Sequence, residues 1–150
     1  MYTWEVKAFN DFSLEEFYQL IALRIEVFVI EQNCPYQELD GKDQDSIHIV
    51  CKHDGIVVAT TRIVKPGLSY KEPAIGRVVI SKDHRGKGLG HQLMKETMIA
   101  LKSTYGDVSV KMSAQEHLIP YYGRHGFKQT SEMYLEDEIP HVEMIYTPTV

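Results

Sequence analysis

The sequence predicts a single α/β (α+β) domain, residues 1–150, built around a mixed β-sheet. Its 150 residues are an ordinary length for one domain, and short strand-like and helix-like patterns alternate along the chain. Two patterns are especially informative. Asp54-Gly55 separates two strand-like runs, as in a two-residue hairpin turn. An apolar run over residues 75–80 leads through a glycine-rich turn directly into a helical pattern.

The N-terminal part of the chain predicts a strand followed by a long helix. Ser13 and Glu16 have the spacing of a capping box, and Phe12 and Phe17 have the spacing of a hydrophobic staple. Apolar residues then recur near helical spacing as far as about Ile30. The sequence therefore predicts one amphipathic helix over this stretch.

The remaining pattern predicts further strands and two more helices. The predicted strands cover residues 2–7, 47–52, 56–64, 75–80, 108–112, 127–135 and 142–147. The two later helices cover residues 88–103 and 117–124. The glycine-rich turn thus lies between a strand and a helix in the middle of the fold, where we expect a ligand site.

Composition excludes several classes of protein. The formal net charge of −5 argues against a nucleic-acid partner, since such proteins normally carry a basic face. No apolar run approaches the roughly 20 residues of a membrane span. The first residues show no export signal. Two cysteines do not form a disulfide framework and suit a reducing cytoplasm.

The turn Arg85-Gly86-Lys87-Gly88-Leu89-Gly90 has the character of a diphosphate cradle. Glycines let the backbone approach phosphates closely, and the free N–H groups of a helix start point at them. The spacing differs from that of a P-loop, because Lys87 is followed by glycine. It also differs from the Gly-x-Gly-x-x-Gly fingerprint of dinucleotide-binding folds.

The motif Arg85-x-x-Gly88-x-Gly90 resembles the acetyl-CoA motif of GNAT N-acetyltransferases. A second segment, Tyr122 to Phe127, resembles the Tyr-x-x-x-Gly-Phe of the same family. Three further segments resemble the ElaA-like branch of GNAT: residues 31–36, 75–78 and 139–141.

The resemblance implies a GNAT fold, with a mostly antiparallel sheet of about six to seven strands and about three to four flanking helices. It implies acetyl-CoA as cofactor, CoA as product and no metal. The acceptor would be a primary amine of a small molecule, a peptide or a lysine, which attacks the thioester directly. The expected assembly is a monomer or a homodimer. By resemblance, the cofactor-binding residues are Val78, Val79, Ile80, Arg85, Gly86, Lys87, Gly88, Leu89, Gly90 and Gln115.

Acetyl transfer to an amine needs a proton donor for the departing thiolate, and a phenol suits this task. The family position makes Tyr122 the candidate acid, although it could instead only pack the short helix on the sheet. The base is open among His48, His117, His141 and an acid acting through water. His141 is the first candidate for the base because it lies at the start of a strand beside an acidic loop. His48 is the second candidate because it precedes an apolar strand stretch.

Three residues are candidates for binding the acceptor. Arg77 on the cofactor strand suits a substrate carboxylate or, equally, a buried pair with an acid. Arg24 and Phe28 lie one helical turn apart and are predicted to line the acceptor cleft, although Phe28 also suits the core. Glu138 stands where ElaA-like relatives tend to have glycine, which puts the local backbone around His141 in question.

The acidic segment from Glu132 to Glu138 is either a solvated loop or an attraction for a cationic amine. Histidines and cysteines show no metal-ligand spacing.

Arg24, Phe28, residues 40–45 and Thr61-Arg62 are reminiscent of acyl-homoserine-lactone synthases, which use an acyl carrier protein and S-adenosylmethionine. The phosphate-type loop favours free CoA over that rival. Two further hypotheses are a non-catalytic acyl-CoA-binding module and a soluble domain whose glycines only make a turn.

Overall fold

The computed structural model describes residues 1–149, which form an open, mostly antiparallel eight-stranded sheet with three α-helices. The strands are β1 Tyr2–Ala8, β2 Ser46–His53, β3 Ile56–Val64, β4 Ala74–Ile80, β5 Val110–Gln115, β6 Phe127–Gln129, β7 Tyr134–Glu136 and β8 Ile139–Tyr146. The α-helices are α1 Leu14–Ile25, α2 Leu89–Tyr105 and α3 Ile119–Gly123. The predicted fold class is confirmed. The predicted strand over residues 127–135 is two strands, β6 and β7, which gives eight strands instead of six to seven.

The sheet has the order β1-β2-β3-β4-β5-β8-β6, with β7 paired to β8. Neighbouring strands are antiparallel except β4 and β5, which are parallel. Side chains of β2 alternate between the two faces: Ile49 and Cys51 pack in one apolar cluster and Val50 in another. The first cluster contains α2 and the second contains α1, so the sheet lies between these two helices. Among residues 1–149, none of the helices has the length and apolar character needed to span a bilayer.

Helix α1 begins as the sequence predicts. The Glu16 N–H donates to Ser13 Oγ at 3.1 Å, and the Ser13 N–H donates to Glu16 Oε1 at 3.0 Å, which completes the capping box. The rings of Phe12 and Phe17 lie 5.5 Å apart. The predicted continuation to about Ile30 differs from the structure, where Glu26–Glu31 is a π-helical turn. Such turns change which side chains share a face.

Strands β4 and β5 pair at one position only, Ala74 with Lys111. On the other edge of β4, Thr60 pairs with Val79 but Arg62 pairs with Gly76, so β4 holds one extra residue. Arg77 lies in this bulge with φ +51°. A bulge bends its strand. Beyond Ala74, β4 therefore diverges from β5 and leaves a cleft inside the sheet.

A largely buried ionic cluster connects the loop before β2 to this sheet. We call it the arginine network, and its members are Arg24, Arg62, Arg77, Glu38, Asp40 and Asp43. Arg24 donates to both carboxylate oxygens of Asp43, at 2.7 and 3.1 Å, and through Nε to Glu38. Arg62 donates to Asp40 and, at 3.2 Å, to Asp43. Burial alone would raise the pKa of Asp43, but the hydrogen bond and charge of Arg24 and the charge of Arg62 outweigh it and lower that pKa.

The β7–β8 hairpin has a two-residue turn, because Glu136 pairs directly with Ile139. Asp137 and Glu138 both have positive φ, +50° and +65°, which is the type I′ geometry. Glu138 therefore adopts the conformation that a glycine would favour. The backbone beside His141 thus forms a two-residue turn with Glu138 in its second position.

Arg24→Met should destabilise the protein by about 3 kcal/mol, because it leaves Glu38 and Asp43 buried with fewer compensating charges. Urea unfolding of both proteins measures this difference. The matched control is Arg85→Met, which breaks the partly exposed pair with Glu31 and should cost about 1 kcal/mol or less. Equal losses for the two variants would contradict the importance of the network.

Glu138→Gly should stabilise the protein by about 0.5–1 kcal/mol, since it relieves a left-handed conformation at an exposed side chain. Thermal unfolding monitored by circular dichroism measures the effect. Glu132→Gly, in the same segment but without positive φ, is the control and should be neutral or destabilising. A lower melting temperature for Glu138→Gly would show that the turn is not strained.

Candidate active site

The cleft between β4 and β5 opens into a cavity of about 650 Å³. Its walls come from both diverging strands, from α3, from the π-helical turn and from the β7–β8 hairpin. The predicted site residues that line it are Phe28, Arg77, Val78, Gln115, Tyr122 and His141. The fold thus brings together residues from distant parts of the chain.

One edge of β4 is open along this cleft. Val79 and Ile80 pair on the other edge with Thr60 and Ala59 of β3. Beyond Ala74 the edge that faces β5 has no strand partner among the described residues. Val78 lines the cavity, while the Val79 side chain packs in the α1 cluster. The free backbone groups suit an extended, amide-containing ligand that adds alongside a strand.

The glycine turn follows β4 and leads into α2. Gly88 is the residue before the first helical position, with φ +77°, and no side chain caps the helix start. A Cβ built at Gly88 would meet no atom within 4 Å, whereas one at Gly90 would lie 3.2 Å from Ile80 Cδ1 and 3.4 Å from the Tyr121 hydroxyl. Gly88 therefore makes the turn, and Gly90 allows close packing beneath it. Helix N–H groups without a cap are a suitable binding site for a diphosphate.

The side chain of Arg85 is engaged within the protein. Its Nε donates to Ile80 O at 3.0 Å, and its Nη atoms donate to the two carboxylate oxygens of Glu31 at 2.7 and 3.1 Å. The hydrogen bond from Arg85 lowers the pKa of Glu31. Arg85 thus connects the glycine turn to the end of the π-helical turn. Lys87 is exposed and Leu89 is buried in the α2 core.

Two adjacent tyrosines of α3 have different roles. The Tyr121 hydroxyl donates to Gly90 O and so supports the glycine turn. Tyr122 is 5% exposed and lines the cavity, and its hydroxyl has no hydrogen-bond partner within residues 1–149. Burial raises the pKa of Tyr122, so the phenol is protonated at neutral pH. Its hydroxyl is therefore a proton donor without a protein acceptor.

A second cluster surrounds His141. Its Nδ1 donates to Ile139 O at 2.7 Å, and its Nε2 lies 3.4 Å from Glu136 Oε2. Ser113 donates to Glu136 Oε1 at 3.0 Å, and the ring of Tyr134 stacks on His141. Both nitrogens of His141 therefore face acceptors. Glu136, half exposed at the cavity, is the group with free lone pairs.

The sequence pattern points to neither Ser113 nor Tyr134, and it marks Glu136 only as part of an acidic segment. Tyr134 pairs with His141, and Glu136 lies two residues further along the same strand, so these side chains share a face of the hairpin. The turn Asp137-Glu138 is not a typical hairpin sequence, so the sequence does not indicate how β7 pairs with β8.

Arg24 and His48, predicted for acceptor binding and catalysis, lie outside the cavity wall. The Arg24 side chain is 1% exposed and belongs to the arginine network. His48 is also 1% exposed, and its Nε2 donates to Asp43 O at 3.1 Å. Burial lowers the pKa of His48. The structure therefore does not bring Arg24 or His48 to the cleft, and His117 is exposed elsewhere.

Arg77 and Gln115 reach the cavity, but each has a protein partner. Arg77 Nε lies 2.7 Å from Glu38 Oε2, at an angle that makes the contact ionic and not a hydrogen bond. Its Nη2 donates to Glu38 O at 3.0 Å. Gln115 Nε2 donates to Gln32 Oε1 at 3.2 Å. Of the two interpretations of Arg77, the pair with an acid is present in the structure.

Within residues 1–149, no group of three or more His, Cys, Asp or Glu side chains is arranged to hold a metal ion.

Comparisons with known proteins agree with this architecture. Residues 9–148 match the acetyltransferase (GNAT) domain family. The chain is 39% identical over 146 residues to protein ElaA of Escherichia coli, covering 96% of this chain and 95% of that protein. It is similar to the crystal structure of an acyl-CoA N-acyltransferase from Pseudomonas aeruginosa, with TM-score 0.93, 46% identity and coverage of 98% and 100% of the two chains.

A more distant structure shares only the fold. It is the CoA-dependent acyl-homoserine lactone synthase BjaI, solved with S-adenosylmethionine and isopentyl-CoA, with TM-score 0.80 and 17% identity over 97% of this chain and 82% of that chain. The family match spans nearly the whole of the chain, and the cleft, the glycine turn and the motif tyrosine are in place. The chain belongs to the GNAT acyltransferase superfamily, in its ElaA-like branch.

Proposed function

We propose that this protein is an acetyl-CoA-dependent N-acetyltransferase whose acceptor is a primary amine of a small molecule, a peptide or a lysine. The observation that carries the proposal is the separation of β4 from β5 directly beside a helix start without a cap. These two features offer a strand edge for an amide-containing arm and N–H groups for a diphosphate. That combination fits CoA.

The residues that would hold the cofactor divide by chemistry. Backbone N–H groups from Arg85 to Gly90 would bind the diphosphate, and the open edge of Val78–Ile80 would bind the arm. Gln115 lies across the cleft on β5. When bound, the cofactor supplies an acyl group activated as a thioester, which the acceptor amine attacks directly in a ternary complex.

Two side chains of the cavity would carry out the proton transfers of the reaction. An alkylamine with a pKa of about 10.4 is only about a thousandth neutral at pH 7.4, so the acceptor must lose a proton before it reacts. We assign proton acceptance to Glu136, positioned by His141 and Ser113. We assign proton donation to the departing sulfur to Tyr122, whose hydroxyl has no acceptor among the described residues.

The acyl-homoserine-lactone synthase hypothesis has one observation in its favour. Arg24, Arg62 and Asp43, which suggested it in the sequence, form a single buried cluster. The use of CoA does not separate the two hypotheses, because BjaI is described as CoA-dependent. Binding of S-adenosylmethionine does separate them.

A cytoplasmic location belongs to this proposal. Cys34 and Cys51 are buried and unpaired, which suits a reducing compartment where acetyl-CoA is available.

Acetyl-CoA should bind the purified protein with micromolar affinity, and Gly88→Val should weaken binding at least about tenfold. A β-branched residue is strained at φ +77° and would disturb the helix start. Isothermal titration calorimetry measures this, with Gly67→Val as a control at another positive-φ turn outside the glycine turn. Strong binding of S-adenosylmethionine without acetyl-CoA binding would favour the synthase hypothesis. Binding of acetyl-CoA without CoA release for any amine would favour the non-catalytic module.

Tyr122→Phe should lower kcat by about 10²- to 10⁴-fold with little change in the KM for acetyl-CoA, because it removes only the proton donor. Steady-state CoA release across pH measures both constants. The neighbouring Tyr121→Phe is the matched control. It breaks the contact with Gly90 and should mainly raise the KM for acetyl-CoA. An unchanged kcat and pH profile for Tyr122→Phe would exclude the acid role.

A further inference from the structure

The cavity has a positive wall on the side of β3 and β4. In the arginine network three arginines face three carboxylates, so its charges balance. Lys42 lies at the same wall and donates to Ser69 Oγ at 2.9 Å, and no ion pair of its ammonium group occurs within the described residues. Its charge is therefore not compensated on this side.

Arg62 also lies at this wall. Its side chain is 5% exposed and lines the cavity. The Nη atoms bind Asp40 and Asp43, but Nε has no hydrogen-bond partner among residues 1–149. This Nε is enclosed by protein atoms, so a ligand in the cavity does not reach it, and the charge of Arg62 is balanced within the arginine network.

The opposite wall is negative. Glu136 and Asp137 line the cavity from the β7–β8 hairpin, and neither forms an ion pair with Lys or Arg in the described part of the chain. Ser113 and His141 hold the Glu136 carboxylate in place while leaving it half exposed. This carboxylate is available for a cationic group.

We infer that the acceptor is zwitterionic, with its amine held by Glu136 and a remote carboxylate held by Lys42. Its chemical class is an amino acid or a short peptide whose reacting amine lies several bonds from a free carboxylate. This inference rests on the proposed function, which it makes specific.

Charge complementarity disfavours the other amines. A polyamine or a lysine within a protein brings no carboxylate, so it would leave the ammonium group of Lys42 without an anionic partner. The two walls belong to the two halves of a diverging sheet, so the amine and the carboxylate of the ligand must be separated by a spacer.

Three acid–amide pairs test the inference: glycylglycine, 4-aminobutanoate and 6-aminohexanoate, each against its carboxamide. Within each pair the carboxylate is remote from the amine, so the amine differs little. CoA release at saturating acetyl-CoA should give kcat/KM at least about tenfold higher for the acid in the best-fitting pair. Equal or higher values for the amides in all three pairs would overturn the inference.

Amino-acid substitutions test which side chain produces the preference for the acid. Lys42→Met should reduce the acid-to-amide ratio towards one, since it removes the positive charge that prefers the acid. Lys65→Met is the control, because this exposed lysine pairs with Asp45 and is not part of the cavity wall, and it should keep the ratio. Glu136→Gln should lower kcat/KM for acids and amides alike. A ratio that survives Lys42→Met would also overturn the inference.

Calorimetric titration of the same pairs onto the CoA complex separates this inference from the proposed function. Tighter binding of acids without any CoA release would support the zwitterion site and reject the acetyltransferase. CoA release with amides preferred in rate and binding would support the acetyltransferase and reject the zwitterion site. Absence of both binding and release for every pair would reject the inference.

Discussion

The bulge at Arg77 is the constraint on which the rest of the structure depends. It places one extra residue in β4, and beyond Ala74 the strand no longer pairs with β5. A non-glycine residue with φ +51° costs of order 1 kcal/mol or more. The ion pair of Arg77 with Glu38 and its position over the ring of Tyr36 offset this cost. The opening of the sheet is therefore maintained by side-chain contacts of the bulged residue itself.

Those contacts connect the cleft to the arginine network. Glu38 accepts from Arg24 on α1 and from the Tyr36 hydroxyl, and it pairs with Arg77 on β4. Burial and the hydrogen bond to Glu38 raise the pKa of Tyr36, so this phenol remains a donor within the cluster. One carboxylate thus couples helix α1, the loop before β2 and the bulge. The network acts on the shape of the cavity, although Arg24 does not touch it.

Features that depend on neighbouring residues were predictable from the sequence. Asp54 and Gly55 both have positive φ, as their hairpin pattern indicates, and Ser13 caps α1 as its spacing predicts. The two-stranded nature of residues 127–135 and the register of β7 on β8 were not predictable, because both depend on pairing with a distant strand.

The locations of Arg24 and Phe28 show how a local irregularity in a helix makes a prediction from helical periodicity wrong. Their spacing places them on one face of a regular α-helix, but the π-helical turn begins at Glu26, between them. The wider turn rotates the residues that follow it relative to those before it. Phe28 consequently lines the cavity while Arg24 faces the buried carboxylates. Nothing in the local sequence marks this turn, since both residues suit either helix.

The divergence of the sheet also explains why opposite charges can coexist in one cavity without neutralising each other. Lys42 lies on the β3–β4 side, hydrogen-bonded to Ser69 of the loop between these strands, whereas Glu136 and Asp137 belong to the hairpin attached through β8 to β5. In a continuous sheet such groups would approach each other and form ion pairs, and their charges would then be neutralised. Because β4 and β5 separate, each wall retains charge that faces the space between them. The same separation that would admit an acyl donor therefore preserves an electrostatic difference across the proposed acceptor site, and a ligand carrying both charges is the one that this difference favours.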